Sequence, residues 1–223
     1  MDPSLLAILV AALAAYLLGS IPIGYLLGRA LRGIDIRTVG SGNLGATNVT
    51  RELGPACGVA AFAFDFAKGL VPAHFFANAF DVDLKSIDAL GLRMLFGSAA
   101  ITGHLYPIYL KFRGGKGVAT SFGVLSSIAT LPTLAALTVW FVVLALSRRV
   151  SVASMAGAVT LPIVEMVEHR RFGETETLIL AVYSSILAAV IVWRHRSNVR
   201  NLIDGTEPNL RDLRAARKKD KSP

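Results

Sequence analysis

The sequence predicts an all-α integral membrane protein, a bundle of transmembrane helices with very little soluble chain. Only 17% of its 223 residues are charged, whereas soluble domains carry about 25%, so the charges are too few to coat a globule. Several apolar runs have about 20 residues, the length of a helix that crosses a hydrocarbon core of ~30 Å. The net charge of +8 is more typical of anchoring to anionic headgroups than of nucleic-acid binding.

Six apolar segments follow one another, at residues 4–28, 56–80, 90–110, 118–146, 150–167 and 176–193. The first follows Met-Asp-Pro rather than a basic segment and is too long for a signal peptide, so we predict a retained span. The fourth is too long for one ordinary span and has Pro132 near its middle. It is therefore either one kinked helix or two short ones, about 118–131 and 132–147. The single cysteine, Cys57, excludes an intramolecular disulfide.

The basic residues predict the topology. Arg and Lys are concentrated in the linkers 29–55 and 111–117 and in the C-terminal tail, whereas the 81–88 linker is acidic. Because basic loops favour the cytoplasm, we place both linkers and the tail inside and the N-terminus outside. An odd number of crossings is then required. Splitting the fourth segment gives seven, which we choose, whereas six would put the tail outside and five requires 150–167 to stay outside or re-enter. We predict one membrane domain over 1–223, ending in a basic cytoplasmic tail at 211–223.

Three glycine-rich polar stretches then share the cytoplasmic face, at 39–55, 103–121 and 193–210. Each combines small residues, hydroxyls, amides and at least one Arg or Lys, which suits phosphate because its oxygens need several donors and a cation. Within the second stretch, "RGGKGVAT" at 113–120 fits a backbone cradle for an anion, and equally a flexible connector anchored by Lys116. A Walker A loop is excluded, since Leu110 stands where its first glycine belongs. Together the three stretches predict a phosphate-binding pocket.

These stretches carry a family resemblance. "GSGNLGATN" followed by Arg51, "GHLYPIYLKFRGGKGVAT" and "HRSNVRNLIDGTE" occur in this order, accompanied by "GSIPIGYLLGR" and "DFAKG" at 65–69. They closely resemble the motifs of the bacterial acylphosphate:glycerol-3-phosphate acyltransferase family, over residues 19–207. The resemblance implies a seven-helix, multi-pass enzyme of the bacterial inner (plasma) membrane with its active site on the cytoplasmic face.

The same resemblance implies a reaction. A fatty acyl group would move from acyl phosphate to the sn-1 hydroxyl of glycerol 3-phosphate, giving lysophosphatidic acid and phosphate, the first step of phospholipid biosynthesis. Acyl phosphate, glycerol 3-phosphate and membrane lipids are the implied partners, with a functional link to an enzyme that forms acyl phosphate. Neither a metal nor another cofactor is expected, and no nucleic acid.

The candidate site residues follow from this chemistry, which needs positioning and charge neutralisation more than a protein nucleophile, because phosphate is a good leaving group. The candidate catalytic residues are Ser41, Arg51, His104, Lys116, His195 and Asn198. The candidate residues for phosphate and substrate binding are Gly42, Asn43, Thr47, Asn48, Gly103, Gly114, Gly115, Gly117, Arg200, Thr206 and Glu207. Glu207 would repel phosphate, so we expect it to orient Arg51, Lys116 or Arg200, or to accept from a glycerol hydroxyl.

Several roles stay open at this point. The general base is His104, His195 or a phosphate oxygen of the substrate, and Ser41 as a covalent nucleophile is not required. Asp65 and Lys68 lie three residues apart, which predicts an ion pair that is either structural or directs Lys68 towards the site. Other charged residues, Arg93 and Glu165, lie near predicted span ends, where a long side chain reaches the interface.

Two other classes of protein are considered. A transporter of phosphate or an organic anion places its polar groups near the bilayer midplane, whereas here the polar stretches gather at one face. A CDP-alcohol phosphotransferase-like enzyme needs a cluster of aspartates for metal, and the three stretches contain only Asp204. Both patterns favour a membrane-surface acyltransferase.

Overall fold

The computed structural model describes residues 3–79 and 88–210, and within them the regular structure is entirely helical, as predicted. The predicted tail at 211–223 and most of the acidic 81–88 linker lie outside the described residues. The chain divides into two compact units, Met1–Ile128 and Ala129–Pro223. The single membrane domain over residues 1–223 therefore stays a prediction.

The helices are numbered in chain order. The first unit contains α1 (Pro3–Ser20), α2 (Ile23–Arg32), α3 (Ala46–Leu53), α4 (Pro55–Val71), a π-helical turn (Pro72–Phe76), α5 (Ala89–Leu105), a 3₁₀ turn (Ile108–Leu110) and α6 (Val118–Ile128). The second unit contains α7 (Thr130–Ser147), α8 (Val150–Phe172), α9 (Thr175–Arg194) and α10 (Arg196–Ile203).

A proline separates α1 from α2. Pro22 has no N–H, and in a continuous helix its ring would conflict with the carbonyl of Leu18, so α1 ends at Ser20. The carbonyl of Ile21, released from helical bonding, accepts a hydrogen bond of 3.0 Å from Nζ of Lys68 on α4. The predicted first segment is thus two helices joined by a short break, and a side chain from a third helix satisfies that break.

The fourth predicted segment is also two helices, which confirms the split. α6 ends at Ile128 and α7 begins at Thr130, so the boundary lies a few residues before the predicted one at 131/132. The reason is again proline chemistry. Pro132 occupies the first turn of α7, where its missing N–H costs nothing, whereas in a continuous helix its ring would conflict with the carbonyl of Ile128.

Among the residues that the structure describes, five helical stretches are long and apolar enough to cross a membrane: Leu5–Arg32, which includes the break at Pro22, Pro55–Phe76, which includes the π-helical turn, Thr130–Ser147, Val150–Phe172 and Thr175–Arg194. The 17 residues of α5 and the 11 residues of α6 make shorter helices, of about 26 and 17 Å at 1.5 Å per residue. The protein is therefore a multi-pass membrane protein, while the count of seven crossings and the orientation stay predictions.

Glycines let α1 and α5 touch along their backbones. A Cβ at Gly19 would collide with the backbone of Ala100, and one at Gly103 would collide with the carbonyl of Tyr16. Small residues are favoured at such contacts because the hydrophobic effect does not drive helix association within lipid. Gly103, predicted among the binding residues, is thus buried in this helix contact. The contact holds the end of α5 against α1.

A second pair of glycines joins α4 to α6. A Cβ at Gly69 would collide with the carbonyl of Thr120, and one at Gly123 would collide with the carbonyl of Phe66. This contact fixes the start of α6, which directly follows the glycine-rich segment 114–117, against the helix that carries Asp65.

In the second unit, α8 packs against both α7 and α9. Glu165 on α8 has no exposed surface and accepts a hydrogen bond from Ser184 on α9, so the expectation that it reaches the interface is wrong. Arg93 in the first unit donates to the carbonyl of Ser127 and to Oδ1 of Asn78, which ties α5 to the end of α6.

Candidate functional site

The buried side chain of Asn48 holds the backbone of the first polar stretch in place. Its side chain is 1% exposed, and Nδ2 donates to the carbonyls of Ile36, Val39 and Asn43 at 3.0, 3.2 and 3.0 Å. Its Oδ1 accepts from the backbone N–H of Ser41 at 2.9 Å. With donors and acceptor committed to backbone, Asn48 organises the loop rather than presenting its amide to a phosphate, which revises its predicted role.

The surface of this loop carries the other candidates. Ser41 and Gly42 are exposed, while Thr47 and Arg51 are half-buried on α3. Gly40 and Gly42 have φ of +57° and +67°, a left-handed conformation that glycine adopts without strain. The chain therefore turns tightly over Asn48 and leaves a hydroxyl and a guanidinium group near the surface.

An ion pair fixes the start of the same loop. Arg37 donates to Asp35 through Nε at 3.0 Å and through Nη2 at 2.7 Å. This hydrogen bonding from Arg37 lowers the pKa of Asp35 to about 2, against desolvation, which acts in the opposite direction. The guanidinium groups of Arg37 and Arg29 lie 5.2 and 5.5 Å from the ring centre of Tyr25, so α2 and the loop present a basic surface.

The glycine-rich segment 114–117 closes against the end of α5. The backbone N–H of Gly115 donates to the carbonyl of His104 at 3.1 Å. A Cβ at Gly115 would collide with the His104 imidazole, and one at Gly114 would collide with the carbonyls of His104 and Leu105. Gly117 has a φ of +84°. These glycines are required for this close approach, and the half-buried Lys116 lies between two of them.

A buried charged cluster lies beside His104. Asp65, Lys68 and His104 are 4%, 6% and 7% exposed. Nζ of Lys68 is 2.7 Å from Oδ1 of Asp65, which confirms the predicted ion pair, and Nδ1 of His104 is 3.5 Å from the same oxygen. The three side chains line a small cleft together with Ser20, Gly24, Leu44 and Pro107. The contact with His104 was not predicted, because nothing in the local pattern joins α4 to the end of α5.

One hydrophobic cluster supports the first two polar stretches. Its buried members are Ile36 and Leu44 from the first loop, Val49 from α3, Ala61 from α4 and Leu110 from the 3₁₀ turn. Within the first unit, the loop of Ser41 and the turn that leads into the glycine-rich segment therefore share a core.

In the second unit, Glu207 binds three polar side chains. It accepts from Oγ of Ser151 at 2.5 Å, from Nδ2 of Asn198 at 2.8 Å and from Nδ2 of Asn201 at 3.5 Å. These donors take the place of the arginine or lysine partners predicted for Glu207. Ser151 was missed by sequence reasoning, and its position 56 residues before Glu207 gave no signal.

His195 lies at the junction of α9 and α10, with 3% of its surface exposed. Its Nδ1 lies 2.8 Å from the carbonyl of Ile191. Since a carbonyl only accepts, Nδ1 carries a proton, and Nε2 is the basic nitrogen of the neutral ring. Arg200 and Thr206 are exposed on the same unit, and the Thr206 N–H donates to the carbonyl of Asn201 at 2.8 Å.

Comparison with known sequences gives consistent matches. A family model described as glycerol-3-phosphate acyltransferase matches residues 9–205. A glycerol-3-phosphate acyltransferase of Desulforudis audaxviator is 42% identical over 209 residues, covering 92% of this chain and 96% of that protein. One from Geotalea daltonii is 43% identical over 200 residues, covering 89% and 95%.

Solved structures match as well. The crystal structure of PlsY (YgiH), described as an integral membrane glycerol 3-phosphate acyltransferase in its glycerol 3-phosphate form, matches with a TM-score of 0.77 and 36% identity, covering 91% of this chain and 95% of that one. Its lysophosphatidic acid form matches with a TM-score of 0.74, covering 91% and 94%. Shared helices, ordered motifs and identity over most of both chains show that this chain belongs to the glycerol-3-phosphate acyltransferase family.

Proposed function

We propose that this protein transfers a fatty acyl group from acyl phosphate to the sn-1 hydroxyl of glycerol 3-phosphate, releasing lysophosphatidic acid and inorganic phosphate. This reaction begins phospholipid biosynthesis. The observation that carries the proposal is the match over 91% of this chain with PlsY, whose two structures are described as glycerol 3-phosphate and lysophosphatidic acid forms. Those two compounds are the acceptor and the product of the proposed reaction.

The proposed step is a direct acyl transfer. The sn-1 oxygen attacks the carbonyl carbon, and the bond between that carbon and the phosphate oxygen breaks. The hydroxyl proton ends on the released phosphate, whether it moves there directly or through the imidazole of His104 or His195. Because acyl phosphate is a mixed anhydride with a good leaving group, no acyl-enzyme intermediate is needed. Ser41 then serves as a hydrogen-bond donor.

Residues of the first unit bind the phosphate of the acyl donor in this proposal. Arg51 and Lys116 neutralise its charge, and Ser41, Gly42, Asn43 and Thr47 donate hydrogen bonds from hydroxyl, amide and backbone groups. The backbone of Gly114, Gly115 and Gly117 approaches the same phosphate. Support comes from the left-handed turn at Gly42, the glycine-rich segment and the loop-shaping role of Asn48. Preorganised donors of this kind stabilise charge that develops on a leaving group.

Residues of the second unit bind glycerol 3-phosphate in this proposal. Arg200 and Thr206 contact its phosphate, and His195 and Asn198 contact its hydroxyls. Glu207 acts through Asn198, whose amide nitrogen it holds at 2.8 Å, and so avoids facing a phosphate. Glu207 thus contributes to the proposed site by orienting Asn198, without placing its negative charge against the phosphate of the substrate.

We further propose seven crossings of the bacterial inner membrane, with the N-terminus outside and the C-terminus and active face in the cytoplasm. The Arg- and Lys-rich linkers support this orientation. Cysteine labelling tests it in a Cys57→Ser background, which removes the single native thiol. Thr38→Cys should react with an impermeant maleimide only after cells are permeabilised, whereas Glu174→Cys should react in intact cells. The opposite pattern overturns the orientation.

Turnover by purified protein tests the reaction. The protein is given palmitoyl phosphate and glycerol 3-phosphate, and released phosphate and the position of the acyl chain on the product are both followed. Palmitoyl-CoA, palmitoyl-acyl carrier protein and EDTA form parallel arms. Acceptor-dependent turnover with palmitoyl phosphate alone, unchanged by EDTA, supports the proposal. Turnover with either thioester donor instead, or folded protein with no turnover at all, overturns it.

A further inference from the structure

We propose that Asp65 and Lys68 are positioning residues that hold the glycine-rich segment 114–117 in place through His104. This inference rests on the proposed function in one respect only, that the segment binds the phosphate of the acyl donor. Asp65 and Lys68 lie on α4 and reach the segment through His104, so their role is to place it.

A continuous set of contacts runs from α4 to the segment. Nζ of Lys68 lies 2.7 Å from Oδ1 of Asp65 and donates to the carbonyl of Ile21 at 3.0 Å. Oδ1 of Asp65 lies 3.5 Å from Nδ1 of His104. The carbonyl of His104 accepts the N–H of Gly115 at 3.1 Å. The break between α1 and α2, the middle of α4, the end of α5 and the glycine-rich segment are thereby joined.

The imidazole of His104 also fixes the segment by contact. A Cβ added to Gly115 would collide with this ring, so backbone and ring lie against each other without intervening space. Asp65 holds Nδ1 and therefore sets the plane of the ring. Any rotation of the ring would push on Gly115, next to Lys116, which supplies the cation for phosphate in the proposed function.

Burial decides which substitutions are informative. Asp65 and Lys68 are 4% and 6% exposed, so removing either one alone leaves an uncompensated buried charge, which destabilises a protein strongly. Removing both charges together avoids that loss, and replacement of a buried ion pair by neutral side chains is often close to neutral for stability. The double variant Asp65→Asn/Lys68→Met thus separates positioning from folding.

Steady-state kinetics and melting temperature provide the first test, on full-length protein in one detergent. Asp65→Asn, Lys68→Met and the double variant are compared with wild type. For the double variant we expect a wild-type melting temperature and a KM for palmitoyl phosphate raised by about tenfold to a hundredfold, the effect of misplacing a binding group by about 1 Å. The KM for glycerol 3-phosphate should change by less than about threefold, because the segment binds only the acyl donor in the proposed function. A purely structural loss would instead lower the amount of active protein and leave both KM values unchanged.

A double-mutant cycle provides the second test. Gly115→Ala displaces the His104 ring from the opposite side, so its effect and that of Asp65→Asn/Lys68→Met should not multiply, and the combined variant should match the worse of the two. The control replaces another buried carboxylate, Glu165, which Ser184 holds in the second unit. Glu165→Gln should leave kcat/KM within about twofold of wild type, and its effect should multiply with that of Gly115→Ala.

The outcomes are distinct. A double variant with wild-type KM values, or losses that multiply in the cycle, overturns the inference. Failure to recover the double variant as folded protein also overturns the inference, because the cluster would then be a folding element. If wild-type protein does not turn over palmitoyl phosphate, the proposed function fails, and hydrogen exchange decides the inference. Faster exchange over residues 104–117 in the double variant supports positioning, and unchanged exchange contradicts it.

Discussion

The side-chain amide of Asn198 donates a hydrogen bond of 2.8 Å to the carboxylate of Glu207. A carboxylate at neutral pH only accepts hydrogen bonds, so the amide of Asn198 is held with its nitrogen towards Glu207. The hydroxyl of Ser151 holds the same carboxylate from α8. The orientation of a predicted catalytic side chain is therefore set by a residue that has no reason to touch phosphate.

Replacing Glu207 by Gln should lower kcat/KM by about tenfold to a hundredfold. A hydrogen bond to a charged group contributes about 1.5–3 kcal/mol, and the new amide brings donors towards those of Asn198 and Ser151. The measurement is turnover of palmitoyl phosphate, with the melting temperature followed in parallel. Glu176→Gln, at an exposed position early in α9, is the control and should behave as wild type. Equal activity of Glu207→Gln and wild type would show that Asn198 does not need this partner.

Replacing Lys116 by Ala should reduce turnover by more than about a hundredfold while the protein stays folded, because the proposed phosphate site loses one of its two cations. The matched control removes a neighbouring charge. Lys111 is exposed and has a φ of +53°, so Lys111→Asn removes its charge with a residue that tolerates the left-handed conformation. Both variants are compared by kinetics and by yield from membranes. Near-wild-type activity of Lys116→Ala would exclude a phosphate-binding role for the segment.

Replacing Asn48 by Ala should destabilise the first polar loop and lower activity together. Three carbonyls and the N–H of Ser41 lose their partner, and each unsatisfied buried group costs about 1–3 kcal/mol. Faster hydrogen exchange over residues 36–48 is the measurement. Asn78→Ala is the control, since that exposed amide accepts a hydrogen bond from Arg93 and lies outside the loop. Loss of activity with unchanged exchange would instead show that Asn48 contacts substrate.

The Asp35–Arg37 pair should make the thermal stability of the protein depend on pH in the acidic range. The pKa of Asp35 is about 2 in the folded protein, below its ordinary value of 3.8, so the pair stabilises the fold fully above that value and loses its effect as the pH falls through about 2. At pH 6, Asp35→Asn should melt roughly 2–4 °C below wild type, the shift for about 1 kcal/mol in a chain of this size. The gap should close towards pH 2. Arg37→Gln should show the same convergence, whereas an offset that is constant with pH would assign the stabilisation to another contact.

The helices were predictable because hydrophobic length and proline chemistry are local. The break at Pro132 was predicted from the missing N–H of proline and the steric conflict four residues earlier, whereas the break at Pro22, which has the same cause, was not, because residues 4–28 were predicted as one span. The pairing of Asp65 with Lys68 was predictable for a similar reason, since residues three apart share a helical face. What could not be predicted was His104, because its position beside Asp65 depends on how α4 and α5 pack.

The chemistry of the candidate residues was only partly readable. The sequence does not distinguish an Asn that hydrogen-bonds to the backbone from an Asn that is available to bind a ligand. In the structure, burial distinguishes them, because Asn48 is buried and Asn43 is half-buried. Gly103 illustrates the same limit, since a glycine that admits a neighbouring helix is indistinguishable in sequence from one that admits a phosphate. Asn48 and Gly103 were placed in the predicted site because they lie close in the chain to the other candidates.

The glycine contacts between α1 and α5 and between α4 and α6 also channel how this sequence can diverge. Side chains that face lipid can drift among Leu, Val, Ile and Phe, because any of them satisfies the hydrocarbon around it. At Gly19, Gly69, Gly103 and Gly123, a single methyl group would separate two helices. A substitution at any of these four glycines is therefore expected to disturb the fold far more than a substitution on the lipid-facing surface, although it replaces only one hydrogen atom.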